Sequence, residues 1–344
     1  MHSSIPFEKS RMADLRIVVV RLGSLGDIVH TFPAVAGLRE SFPAAEIVWL
    51  THPRWADLVA SSTLATEIWP VDSRDLSSVR KVIGKLRARK WDTAIDYQGL
   101  WKAALLPFFG GAPKRIGFSS ATIREFGVPI LYTDSVVCRT THIADQNGEL
   151  SLRAGAKQSV GRVVLKVAES DTGRVRSDLA KEGLSQYIVL SPGGGWRSKC
   201  WPAERFGALS QRILKEIGLP CVINYGPGEE LLAADVLAAS GDAKPIIYDG
   251  EMATLKALLQ GARCIIGGDT GPLHLAVALG TPAVALFGPT DPVRNGPYPL
   301  GEIVLRSPKA VTTYGRSNAT DPSLLDLSVD AVFAAVKQRL ELRT

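Results

Sequence analysis

Apolar residues in this chain fall into short continuous runs, separated by longer stretches where they recur every three or four positions. The first run, Arg16-Ile17-Val18-Val19-Val20-Arg21, is wholly β-branched between its arginines. A strand apolar on both faces is one covered on both faces, as inside a parallel sheet. Similar runs follow at 46–50, 66–71 and 92–96, with helical periodicity over 33–41, 76–90 and 100–109 between them. This alternation predicts a doubly wound parallel sheet. A helical pattern at 142–154 stops at Gly155, and the polar stretch 156–162 reads as a linker. The alternation then restarts. Strands are expected at 187–191, 220–225, 245–248, 264–267 and 283–287, and helices at 202–217, 229–240, 252–262 and 271–280.

Two α/β halves of similar size imply two Rossmann-like domains facing each other across a cleft. A chain of 344 residues also exceeds what most single cores support. The expected parts are a disordered extension at 1–14, a first domain at 15–157, a second at 158–326, and a tail helix at 327–344. In the tail, Val329, Val332, Phe333, Val336 and Leu340 form one apolar stripe, with Ser328 placed as N-cap.

Charge and composition narrow the function. The net charge of +6 is spread along the chain without a Lys/Arg block. Such a distribution fits anionic small molecules or an anionic membrane surface and argues against nucleic acid. Cys138, Cys200, Cys221 and Cys264 form no CxxC pair, so no structural metal is expected and the thiols are read as reduced. The N-terminal residues do not resemble a signal peptide, and the run Ile17–Leu22 is too short to cross a bilayer. A cytoplasmic protein is expected, with any membrane attachment peripheral.

Three glycine-containing loops follow predicted strands. The first, Gly23-Ser24-Leu25-Gly26-Asp27-Ile28-Val29-His30-Thr31-Phe32-Pro33, lacks the GxGxxG pattern of a dinucleotide site. Asp27 reads either as a helix cap or as a general base. Pro33 suits a first helical turn, so the helix is expected to begin near Thr31 or Phe32, leaving Asp27 in the loop. The second, Gly267-Gly268-Asp269-Thr270-Gly271-Pro272-Leu273-His274, opens a helix whose amides favour an anion. Asp269 would there accept sugar hydroxyls or orient amides, and His274 would reach a phosphate or be structural. The third, Gly193-Gly194-Gly195-Trp196-Arg197-Ser198-Lys199, combines exposed amides with positive charge and suits a diphosphate. The loops 225–230 and 249–252 are weaker candidates for a nucleoside pocket. In the first half, Gln98 and Lys102 follow another strand, and Arg124 is a further basic candidate.

Taken together, Gly26-Asp27-Ile28-Val29-His30-Thr31, Gln98-Gly99-Leu100 with Lys102, Lys199-Cys200-Trp201-Pro202, Asp269-Thr270-Gly271 with His274, and 285–292 resemble glycosyltransferase family nine. The resemblance is to its lipopolysaccharide heptosyltransferases, most of all the first-heptose type; the second-heptose type shares much of the framework. It implies a GT-B fold whose last helix returns to the first domain. It also implies transfer of heptose from an ADP-activated donor to a Kdo sugar of the lipid A precursor, with inversion. By the same resemblance Asp27 is the base, and Gly26, Gln98, Lys102 and Arg124 lie on the acceptor side. Lys199, Met252, Asp269, Thr270, Gly271 and His274 fall on the donor side. Where such sequences carry hydroxyl residues this chain has Gly194 and Gly195, so backbone amides would take over their phosphate contacts.

No cofactor and no metal are expected, because no paired carboxylates of DxD type flank a strand end near the donor loops. The expected partners are ADP-heptose, Kdo-lipid A and the anionic inner leaflet. A nicotinamide oxidoreductase, a sugar-nucleotide epimerase and a non-catalytic sensor are the competing readings.

Overall fold

The computed structural model describes residues 15–342 except 124, 314 and 316. The expected disordered extension 1–14 and the candidate Arg124 therefore lie outside the described residues. The chain divides into two units, one through Lys166 and one from Val167.

The first unit is built on six parallel strands: β1 (Arg16–Val20), β2 (Glu46–Thr51), β3 (Glu67–Pro70), β4 (Thr93–Asp96), β5 (Arg115–Phe118) and β6 (Asp134–Val136). Their order is β3-β2-β1-β4-β5-β6. The β-branched first run takes a central place, with Val18 opposite Val48 on one side and Ala94 on the other. Ile17, Val18, Val19 and Val20 are all fully buried, as an apolar run covered on both faces requires.

The stretch expected to be a linker instead packs into this unit. The Gly161 N–H donates to the Pro33 carbonyl at 2.8 Å, and the Arg162 N–H donates to Glu40 at 2.8 Å. A Cβ on Gly37 would stand 2.8 Å from the Gln158 carbonyl oxygen, and one on Gly148 would stand 2.7 Å from that of Ser159. Only glycine lets the chain approach the helices Phe32–Ser41 and Ile143–Arg153 so closely. The division accordingly falls between Lys166 and Val167, not between 157 and 158.

The second unit repeats the plan with β7 (Ile188–Ser191), β8 (Cys221–Asn224), β9 (Ile246–Tyr248), β10 (Cys264–Gly268), β11 (Ala283–Phe287) and β12 (Ile303–Arg306). Its order, β12-β11-β10-β7-β8-β9, is the same doubly wound sequence of positions read from the other edge. Ser328 caps the helix Val329–Glu341 by accepting the Ala331 N–H at 3.2 Å.

The destination of that helix differs from the expectation of a return to the first domain. Val332, Phe333 and Val336 enter the second unit's own core, with Trp201, Phe206 and Leu286. Arg339 pairs with Glu302 at 2.6 Å and the Trp201 indole donates to the Leu327 carbonyl at 3.0 Å. The apolar stripe is satisfied inside the second unit. No described helix is long and apolar enough to cross a membrane.

Candidate active site

In a doubly wound sheet, ligands bind beyond the carboxyl ends of the strands where the strand order reverses. In the first unit that point lies between β1 and β4, and in the second between β7 and β10. The loops singled out by sequence leave the sheets at these two points.

After β1 the chain forms a one-turn helix, Leu25–Val29, where the position of Pro33 predicts a loop. Asp27 sits on it, and its Oδ2 accepts the Ser24 N–H at 3.0 Å and the Ser24 hydroxyl at 2.8 Å. Capping and an available carboxylate thus coexist, because the side chain is still 43% exposed. The guanidinium of Arg21, itself 8% exposed, pairs with Asp27 Oδ1 at 2.7 Å. Desolvation by the surrounding protein pushes the carboxyl pKa up, but Arg21 and the Ser24 hydrogen bonds outweigh it and hold it below the ordinary value. Asp27 is therefore an ionised acceptor at neutral pH.

Arg21 is itself fixed, donating to the Tyr97 carbonyl beyond β4. Gln98 ties the same two loops together, its side-chain oxygen accepting the Leu22 N–H at 2.7 Å. Gly26 lies in the turn beside Asp27, and its carbonyl accepts the His30 N–H. Lys102 is exposed on the first turn of the helix Trp101–Phe109. Beneath them, buried Asp96 accepts the Tyr132 hydroxyl at 2.7 Å and the Gln98 N–H at 2.8 Å, and burial pushes its pKa up to about 6.

In the second unit the β7 and β10 loops meet through one buried carboxylate. Asp269 Oδ2 is 2.6 Å from the Lys199 ammonium, and Oδ1 is 3.0 Å from His274 Nε2. All three side chains are at most 12% exposed. Burial raises the Asp269 pKa, but His274 and Lys199 outweigh it and hold the carboxyl far below its usual range. Lys199 also donates to the Asp269 carbonyl at 3.0 Å and lies over the Trp196 ring, 4.4 Å from its centre. The Asp269 carboxylate meets neither a loop amide nor a hydroxyl, the two partners expected of it, but the Lys199 and His274 side chains. It holds a lysine and a histidine beside the helix Gly271–Ala278, which Thr270 caps by accepting the Leu273 N–H at 3.4 Å.

The Gly194 and Gly195 amides face an internal anion. They donate to Glu229 Oε1 at 3.1 and 3.4 Å, while Glu229 Oε2 accepts the Gly226 N–H at 2.9 Å. A phosphate on these amides would have to displace that carboxylate. Met252 opens the helix Met252–Gly261 after the edge strand β9. Among the described residues, no group of three or more His, Cys, Asp or Glu side chains is arranged to hold a metal ion.

The motifs that build both sites also place the chain among known proteins. The family model for glycosyltransferase family 9 (heptosyltransferase) matches residues 79–318. The chain belongs to this family. A curated relative, lipopolysaccharide heptosyltransferase 1 of Pseudomonas aeruginosa, is 27% identical over 314 residues, covering 85% of this chain and 84% of that one. A solved family 9 glycosyl transferase from Veillonella parvula superposes with a TM-score of 0.82 at 24% identity, covering 96% of this chain and 98% of that one. An E. coli heptosyltransferase solved with ADP-2-deoxy-2-fluoro heptose gives 0.70 at 24% identity, with 96% and 100% covered. The fold is GT-B, and the chain is a glycosyltransferase.

Three residues that shape these loops in this family 9 enzyme were not among the named site residues: Arg21, Glu229 and Asp96. Arg21 stands as the charged end of an apolar strand, and that position was its one signal in the sequence; its burial shows only in the structure. Glu229 read as the start of a helix and Asp96 as a strand end. Their partners lie 35 and 36 residues away, at separations that local pattern does not reach.

Proposed function

We propose that the enzyme transfers heptose from ADP-L-glycero-D-manno-heptose to a Kdo residue of the lipid A precursor, in lipopolysaccharide inner-core synthesis, with inversion and without a metal. The observation that carries this reading is Asp27, an ionised carboxylate held half open to solvent at the sheet's switch point. The named relatives support the choice of sugar and pathway.

In this scheme Asp27 accepts the proton of the acceptor hydroxyl as its oxygen bonds to the anomeric carbon. The bond from that carbon to the ADP β-phosphate oxygen breaks, and ADP leaves with the electron pair. Asp27 then returns its proton to solvent. The ammonium of Lys199 and the amides at the start of the helix Gly271–Ala278 stabilise the charge that develops on ADP. Gly26, Gln98, Lys102 and Arg124 are assigned to the acceptor, and Gly194, Gly195, Met252, Asp269, Thr270, Gly271 and His274 to the donor. The inner face of the cytoplasmic membrane is the proposed working place.

The test is ADP release from ADP-heptose with Kdo-lipid A in the presence of EDTA. Acceptor-dependent release that survives chelation and collapses in Asp27→Asn supports the scheme. Release that needs a divalent ion, or that survives the substitution, overturns the corresponding part.

A further inference from the structure

Arg21 is the cation that keeps Asp27 ionised, and its seat is built from outside its own loop. Among the described residues its guanidinium has two hydrogen-bonded partners, Asp27 Oδ1 at 2.7 Å and the Tyr97 carbonyl, while Nε has none. Asp27 stands half open to solvent, so the buried anchor of the guanidinium is the Tyr97 carbonyl. Where that carbonyl lies decides where the guanidinium lies.

The turn after β4 that carries this carbonyl is held by one buried carboxylate. Asp96 Oδ1 accepts the Gln98 N–H at 2.8 Å and the Gly99 N–H at 3.2 Å, and Oδ2 accepts the Tyr132 hydroxyl at 2.7 Å. Gly99 stands at φ +68°, a conformation glycine adopts without steric cost, and this lets the turn bring both amides to one oxygen. Gln98 ties the turn to β1's end through the Leu22 N–H. Tyr132 follows the turn Val128–Leu131 and lies across β5 at Gly117, where a Cβ would stand 2.3 Å from its ring.

Capping two amides needs only one oxygen. The second oxygen of Asp96 goes to a phenol drawn across a strand, and both ends of the carboxylate are thereby fixed. A contiguous series of contacts then runs from Tyr132 through Asp96, the turn at 97–99 and Arg21 to Asp27. Buried and fully engaged polar networks of this kind hold their members to one geometry.

We propose that Asp96 and Tyr132 are positioning residues: they fix the Tyr97 carbonyl and so seat Arg21 against Asp27. The proposal rests on the reading of Asp27 as the base and deepens it. Both side chains are buried and act on the reaction through Arg21.

Two measurements on the full chain test it. Nitrogen-15 spectra of the arginine side chains, recorded without donor or acceptor and assigned by Arg21→Lys, report how tightly the Arg21 guanidinium is held. Tyr132→Phe should speed its rotation about three- to tenfold, the equivalent of one lost hydrogen bond. The ADP-release assay should then show kcat lower by about ten- to a hundredfold, KM for ADP-heptose within about twofold of the wild type, and the acid limb of the kcat–pH profile moved upward. Asp96→Ser, which keeps one oxygen for the turn and loses the one for Tyr132, should match it. Ser151→Ala is the control for a structural effect, since it removes another buried hydroxyl contact, 2.7 Å from the Tyr97 hydroxyl. It should lower stability comparably and change neither measurement. The proposal is overturned if Arg21 rotates in Tyr132→Phe and Asp96→Ser as it does in the wild type, or if Ser151→Ala loosens it equally. An acid limb moved downward would make Asp96 a competitor for Arg21 and also overturn it. A loosened Arg21 with kcat and its pH profile unchanged supports the seating and overturns Asp27 as the base, so the two failures are distinguishable.

Discussion

Two aspartates flank the switch points of two sheets of the same strand order, Asp27 after the first strand of its sheet and Asp269 after the fourth of its own, and they are handled in opposite ways. Asp27 follows β1 with one cation beneath it and its carboxylate 43% exposed. Asp269 follows β10 at 12% exposure, with both oxygens engaged by Lys199 and His274. A carboxylate with remaining acceptor capacity can take a proton from a ligand. One enclosed by a lysine and a histidine acts as a fixed counter-charge that orients them. Position in the fold sets both aspartates at a switch point, and the neighbours decide how much acceptor capacity each keeps.

Removing the charge at each position should break this contrast most sharply. Asp27→Asn should lower kcat about 10²- to 10⁴-fold, with ADP affinity nearly unchanged and a stability loss smaller than at Asp269, because the partner Arg21 loses is itself 43% exposed; stopped assays of ADP release and calorimetry check both. A similar loss of stability would mean that Asp27 is structural. For Asp269→Asn the stability loss should dominate, about 3–5 kcal/mol in urea, because Lys199 loses its buried partner. The sign of its pH dependence follows from the lowered folded pKa. The pair's contribution is present above the unfolded value of 3.8 and is lost as pH falls through the folded value.

Asp96 gives a third, opposite case. Its folded pKa is raised from 3.8 to about 6, so its contribution to stability is full below 3.8 and is lost as pH rises through 6. Urea midpoints across that window should fall with pH by the equivalent of up to about 3 kcal/mol in the wild type, and less in Asp96→Asn. Ser24→Ala should have the smallest effect, about 1 kcal/mol or less, since it removes one hydroxyl from a partly exposed carboxylate. With that bond gone, the Asp27 pKa should rise toward its usual value, shifting the acid limb of a kcat–pH profile upward.

Legibility in the sequence followed the reach of local pattern. The run Ile17–Val20 predicted a central strand because burial on both faces leaves a continuous apolar signature. Ala283–Phe287 was read with its observed limits for the same reason. The strands β5, β6 and β12 went unread. β6 and β12 have no fully buried residue, and β5 contains Gly117, over which Tyr132 packs so closely that a Cβ would stand 2.3 Å from its ring. The helix Glu169–Lys181 was missed because only Val175 and Leu179 on it are buried, too few for a visible stripe. Lys199, Asp269 and His274 were legible as motifs, but the ion pair joining them was not, because it links residues 70 positions apart. The tail helix was legible as a helix, but its stripe carries no label for the core it joins.

That last placement orders events at the ribosome. All strand pairing of the first unit is complete within residues 16–136, so it can close its sheet while the second is still being made. The second unit cannot do so early. Val332, Phe333 and Val336 fill its core, and they emerge after every one of its strands. Until then, the Trp201 and Phe206 faces they cover stand open to water and to other nascent chains. The second unit is thus the half that closes last in synthesis.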